Sequence, residues 1–263
     1  MEKLQTAPGG APSWAARRRR ASTLRDRWPH AEEMLSLYGA LLGVQERAVE
    51  ATLDDRPSPG ALAGYVAARV MPGIVEVTRA AGPPALVEAV GEPLPAPDAA
   101  VRRWLSGEPQ PPVPEYLARG ASAPVLEALG EVSTLPRSPH DGGCPRCGGR
   151  PQLSYFVESG ESLLTAPRHL LCSRCTGSWI HERTACPSCG ERSTGKLPIF
   201  ADTERFPALR ADACETCRRY LITVDGRKDP AAVPIVDELV ALPLDLHVRE
   251  RGFSKIVPNL MGI

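Results

Sequence analysis

Cysteine is the side chain through which this 263-residue chain could most readily hold a metal ion, and all eight of its cysteines lie between Cys144 and Cys217. They form four C-x-x-C pairs: Cys144/Cys147, Cys172/Cys175, Cys186/Cys189 and Cys214/Cys217. Moving the first two pairs forward by 42 residues superposes them on the last two. The wording follows, CPRCG becoming CPSCG and CSRC becoming CETC. The chain therefore carries a duplicated unit, each copy reading C-x2-C-x24-C-x2-C.

Two thiolates separated by two residues face one ion when the backbone between them turns tightly. Two such turns supply four sulfurs at about 2.3 Å in a tetrahedron. Four thiolates on a divalent ion leave a formal charge near −2, so amides of the turns should point at sulfur. Gly148 and Gly190, each just after the second cysteine of a leading pair, suit the positive φ such a turn needs. The trailing turns differ, with Thr176-Gly177 after one and Arg218-Arg219 after the other. Self-contained copies would pair Cys144/Cys147 with Cys172/Cys175 and Cys186/Cys189 with Cys214/Cys217, although the spacing also allows interleaving. Zinc and iron both suit four thiolates, and the spacing does not choose between them.

Other cysteine chemistries fit less well. A disulfide framework belongs to exported chains, small secreted domains rarely use four C-x-x-C pairs, and no export signal core follows Arg17–Arg20. A thioredoxin-like site needs one such pair at a helix start, not four in register. An iron–sulfur cluster is conceivable, but two-plus-two spacing favours mononuclear sites. Of the five histidines, His30 reads as a surface residue near a helix start; His140, His169, His181 and His247 are weak ligand candidates, because eight thiolates already fill two tetrahedra. Arg168, Trp179, Arg183 and Tyr220 flank the knuckles, either packing against the ribbons or forming a contact surface.

The elements that must position these sulfurs follow from local pattern. Residues 1–21 read as a disordered basic tail rich in Gly, Pro, Ala and Arg, with the arginine cluster solvated. Residues 22–133 read as an all-helical domain cut by prolines. Its helices start at Ser22 and near Met34, run over Gly60–Val70 and Val75–Ala80, then Pro84–Val90, a segment capped by Asp98, and Pro124–Val132. The aromatic residues there belong to a core. Residues 144–184 and 185–228 form a first and a second metal ribbon of short antiparallel strands, among them 153–157, 168–172, 195–200 and 220–225. Residues 229–263 supply a C-terminal helix, bent at Pro243, and a tail. The fold class expected is α+β multidomain, a helical N-terminal domain followed by two tandem rubredoxin-like or zinc-ribbon units and a C-terminal helix. Replacing a cysteine should release the ion of its own ribbon alone.

Charge excludes some partners. Thirty-one basic and thirty-one acidic residues cancel, and residues 136–230 carry fourteen basic against eleven acidic. Two filled cages would bring that +3 close to neutral, which weighs against a nucleic-acid grip. No apolar run approaches the roughly 20 residues of a membrane helix. Cysteines suited to a reducing milieu place the chain in the cytoplasm.

The wording of residues 144–260 resembles the FdhE family, accessory proteins of formate dehydrogenase. The likeness rests on CPRCG, RHLLCSRCTGSWIHERTACPSCG, CETCRRYL and VDELVALPLD, then Gly252-Phe253 and Asn259, with HAEEMLSLYGALLGVQ near the start. The resemblance implies a maturation factor that binds the catalytic subunit of a respiratory formate dehydrogenase before export. It also implies two ions, iron or zinc, held by the eight cysteines as a binding scaffold and not as an enzyme. Two other classes compete: a zinc-ribbon nucleic-acid-binding protein, and a rubredoxin-like electron carrier. Oligomeric state is not encoded in any pattern here.

Overall fold

The computed structural model describes residues 12–130, 142–157 and 166–262. Residues 1–11 of the predicted tail, the end of the helix predicted over Pro124–Val132, and His140 lie outside them. Helix α1 (Trp14–Arg27) begins well before Ser22, because the Ser13 hydroxyl accepts from the Ala16 amide at 3.2 Å and caps it. The arginine cluster is therefore helical, not a solvated tail. Arg17 is 2 % exposed and paired with Glu127 at 2.8 Å, and Arg20 binds Asp237 at 2.9 Å and also reaches Asp229.

Helix α2 (Glu32–Asp55) opens on two acidic residues, which suit the positive end of a helix. It buries Leu35, Tyr38, Leu42 and Gln45, three and four residues apart. Next come α3 (Leu62–Tyr65), a π-helical turn at Val66–Val70 and α4 (Met71–Ala81). The expected stop at Met71-Pro72 does not occur. The Met71 amide reaches back five residues to the Val66 carbonyl, and Pro72, which has no amide to lose, opens α4. Against expectation, Pro59–Ala81 has the length and mean hydropathy (23 residues, 1.2) of a membrane span. It carries Arg69, Glu76 and Arg79, and it packs Val66, Val70, Met71 and Ile74 into the helical core.

Helices α5 (Pro84–Ala89), α6 (Pro97–Ser106) and α7 (Pro112–Leu129) complete this domain. Asp98 does not cap α6. It lies in the first turn and pairs with Arg102 at 2.8 Å. Helix α7 starts twelve residues before the predicted Pro124 and runs through that proline. A proline inside a helix leaves the carbonyl four residues earlier without its donor. That carbonyl belongs to Gly120, and the Gln45 amide from α2 binds it at 3.0 Å.

The remainder is one sheet, not two separate ribbons. Strands β1 (Pro151–Phe156), β2 (Arg168–Cys172) and β3 (Ser178–His181) form an antiparallel meander. So do β4 (Ile199–Phe200), β5 (Leu209–Cys214) and β6 (Arg219–Asp225). Parallel pairing of β1 with β6, Ser154 beside Thr223, welds the two copies edge to edge. The order is β3-β2-β1-β6-β5-β4, with β7 (Ser254–Lys255) on β6. One sheet face, with Ala211, Tyr220, Ile222 and Val224, packs on α1 and on α8 (Pro234–Asp237) and α9 (Leu242–Glu250). The predicted C-terminal helix is thus two pieces joined by a 3-10 turn at Glu238–Ala241.

A buried polar chain ties the parts together. Arg119 of α7 donates to Gln152 of β1, which donates to Glu238. Lys255 binds Glu238 at 2.8 Å and Asp245 at 3.1 Å, and the Tyr220 hydroxyl donates to Asp245 at 2.8 Å. Burial of opposite charges is tolerable only when each is partnered, as here.

Candidate metal centres

The structure brings the eight cysteines together in two quartets, Cys144, Cys147, Cys172 and Cys175, and Cys186, Cys189, Cys214 and Cys217. Interleaving does not occur. In the first quartet Cys144 and Cys175 sulfurs lie 3.7 Å apart, and those of Cys147 and Cys172 3.4 Å. The matching separations in the second are 3.8 and 3.7 Å. A tetrahedron with metal–sulfur bonds of about 2.3 Å has edges of about 3.8 Å, so either quartet could hold one such ion. These separations are far beyond the roughly 2.05 Å of a disulfide, and the cysteines are free.

The knuckles repeat atom for atom. The Gly148 amide binds the Cys144 carbonyl at 2.8 Å, and the Gly190 amide the Cys186 carbonyl at 2.9 Å. The residue after each second cysteine has positive φ: Gly148 (70°), Thr176 (53°), Gly190 (77°) and Arg218 (56°). Glycine was expected in the leading turns. The trailing turns force Thr176 and Arg218 into the same left-handed region, a strained choice for a side chain with a Cβ. Amides of Arg174 and Ser188 point at the Cys172 and Cys186 sulfurs at 3.3 and 3.4 Å, as a negative cage requires.

The thiols within each quartet differ in acidity. Sulfur-to-sulfur hydrogen bonds, first that with Cys147, pull Cys144 far down, and burial pushes Cys172 far up. In the second quartet burial pushes Cys186 up. Cys214 is lowered, because amides of Cys217 and Thr216 and the neighbouring thiols outweigh burial. Four thiolates at such short range repel, and a divalent cation removes that repulsion.

The neighbourhoods of the two quartets differ. All four cysteines of the first belong to the core beneath α6 and α7, whereas in the second Cys189 is exposed and Cys217 half-buried. Thr176 donates to Glu127 of α7 at 2.8 Å, which links the first quartet through Glu127 to Arg17. Glu191 accepts from Thr216 at 2.6 Å across the second, and that hydroxyl, then the Ser193 amide, hold its carboxyl down at about 2.

No histidine belongs to either quartet among the described residues. His169 stacks on Tyr155, and His30 is not a lone surface group: its Nε2 lies 3.0 Å from the Val240 carbonyl. Of the flanking residues, Tyr220 is buried and Trp179 packs against the helical core. Arg168 is buried and reaches Asp212 at 3.2 Å, while Arg183 stays exposed above Phe156. Arg210 and Arg219 join Arg168 and Arg183 around a cavity of about 70 Å³ beside Cys186. The sequence does not single out these two, because only the strand register brings them to that cleft. An apolar cleft of about 400 Å³ between α2, α5, α7 and residues 258–262 includes no cysteine.

The chain is thus a helical domain joined to a single sheet in which two four-cysteine units are fused. Residues 184–261 match the model of FdhE, C-terminal domain. A protein FdhE homolog of Aquifex aeolicus is 34 % identical over 119 residues, 45 % of this chain and 41 % of that protein. A homolog of Haemophilus influenzae is 35 % identical over 112 residues, 43 % of this chain and 35 % of its own length. The chain thus spans less than half the length of these curated relatives. The crystal structure of the FdhE protein from Pseudomonas aeruginosa shares the fold, with a TM-score of 0.68 at 22 % identity over 96 % of this chain and 98 % of that one.

Proposed function

We propose that this chain is a cytoplasmic accessory factor that binds the catalytic subunit of a respiratory formate dehydrogenase during its maturation, before export. The observation that carries the reading is the pair of cysteine quartets with cage-like sulfur separations, the second of them inside the stretch that matches the FdhE C-terminal model. Each ion, iron or zinc, would be held by Cys144, Cys147, Cys172 and Cys175 or by Cys186, Cys189, Cys214 and Cys217. Four thiolates leave such an ion no open position for a substrate, so its part is to hold the knuckles rigid. That favours a scaffold over an enzyme. A rubredoxin-like electron carrier shares the closed four-thiolate site and differs in needing iron and a reversible potential.

Co-expression of the tagged chain with the catalytic subunit tests this. The subunit should be retained by the unaltered chain and lost with Cys186→Ser or Cys214→Ser. Unchanged formate dehydrogenase activity in cells lacking the gene would sink the proposal. A colourless protein with two zinc ions would end the electron-carrier alternative, and salt-dependent binding of DNA or RNA would revive the nucleic-acid one.

A further inference from the structure

We propose that the cleft beside Cys186 is an oxyanion site that takes a phosphate group. Four guanidiniums, those of Arg168, Arg183, Arg210 and Arg219, line the cavity of about 70 Å³, with Asp212 as the one carboxylate among the described residues. They come from β2, the loop after β3, β5 and β6, so the cleft exists only in the assembled sheet.

Asp212 does not use up this charge. Its oxygens accept from Arg168 at 3.2 Å, from Arg210 at 2.8 Å and from Thr223 at 2.7 Å, which satisfies the carboxylate and fixes two guanidiniums. Arg168 is 4 % exposed, and its Nε–H is buried with no partner. A buried donor left unmatched is costly unless a ligand supplies the acceptor. Arg183 and Arg219 each donate to a main-chain carbonyl, of Ala166 and Lys255 respectively, at 3.3 Å and keep further N–H groups free for a ligand.

The thiolate cage does not explain the arginines either. Among the described residues none of the four donates to sulfur; their partners are carbonyls and Asp212. Among the described residues, four cations against one carboxylate leave three positive charges. Even a filled second cage, at about −2, leaves one in surplus. Converging guanidiniums with fixed forks match the oxygens of phosphate, and the small volume favours the group itself over a large body around it. Phe156, under Arg183, Arg210 and Arg227, is buried and offers no face for a base to stack on.

The test is calorimetric titration of the full-length, ion-loaded chain with inorganic phosphate and, separately, with adenosine monophosphate, at an ionic strength of about 50 mM to limit screening. Saturable one-to-one binding is expected. Arg183→Gln combined with Arg210→Gln should weaken it about tenfold or more, as loss of charge-assisted hydrogen bonds does. Arg192→Gln, an exposed arginine paired with Glu182 outside the cleft, should leave it unchanged. Phosphate binding as tightly as the nucleotide assigns the free ion, and a nucleotide preference with the same sensitivity to the double variant assigns a phosphomonoester. No saturable binding of either, or equal binding by an ion-loaded and folded double variant, overturns the proposal. So does an Arg192→Gln variant that is weakened as much.

Discussion

The two cysteine quartets have the same ligand spacing, the same positive-φ residues after each pair and nearly the same sulfur separations. Their surroundings are unlike. The first lies inside the helical core, while neither hydrophobic cluster includes a cysteine of the second. Repeat position 149/191 shows how the sequence arranges this. Gly149 sits so close to the first quartet that an added Cβ would lie 2.8 Å from the Cys172 sulfur. Its counterpart, 42 residues on, is Glu191, whose side chain reaches across the exposed face to Thr216. Ligand geometry was copied by duplication, and burial was then set by what grew around each copy.

The largest effect expected from this contrast is on the helices. Cys144→Ser should lower the melting midpoint of the helical circular dichroism by on the order of 10 °C more than Cys214→Ser, because the first quartet is part of the helical core. Equal losses would show that burial of the first quartet does not couple it to the helices. This adds to the expectation that each ion is lost from its own ribbon alone, since Cys144 packs in the same core as Leu117 and Val125.

Next in size is Gly149→Ala, which should cost about 2–3 kcal/mol by overpacking and deplete the first ion in elemental analysis. Glu191→Ala, at the equivalent position, should leave the first ion in place and only hasten extraction of the second by a chelator. Glu127→Gln should cost about 3 kcal/mol by leaving the Arg17 charge buried without its partner. Hydrogen exchange in α1 should accelerate, with the second quartet unaffected. If α1 stayed protected, the link from Thr176 through Glu127 to Arg17 would carry no energy.

The smallest effect is on acid stability. A carboxyl held at about 2, below its ordinary 4.5, stabilises the fold while ionised. That contribution is complete above about 4.5 and fades as pH falls towards about 2. Release of the second ion on acidification should therefore shift in Glu191→Gln, while release of the first should not. A matching shift in both would mean that Glu191 acts on the whole molecule.

Residues that repeat were the most legible. The quartets, both glycine knuckles, β2 and most of β6 were readable because the duplication aligns them and apolar alternation marks the strands. What escaped depends on partners distant in sequence. Pro124 reads as a helix start until Gln45, 75 residues away from Gly120, is seen to serve the freed carbonyl. Arg17 and Arg20 read as solvated because their carboxylates lie far along the chain. The single sheet was illegible because the parallel pairing of β1 with β6 leaves no turn between them, and alternation alone does not name a neighbour.

Helix α1 is synthesised before its carboxylate anchors, which are 110 and 217 residues downstream, on α7 and α8. Loop closure over such spans is slow. The apolar side of α1 can settle on the neighbouring α2 early, but Arg17 and Arg20 gain their buried partners only once α7 and α8 exist, so the same helix that packs locally is also the latch between distant parts of the chain.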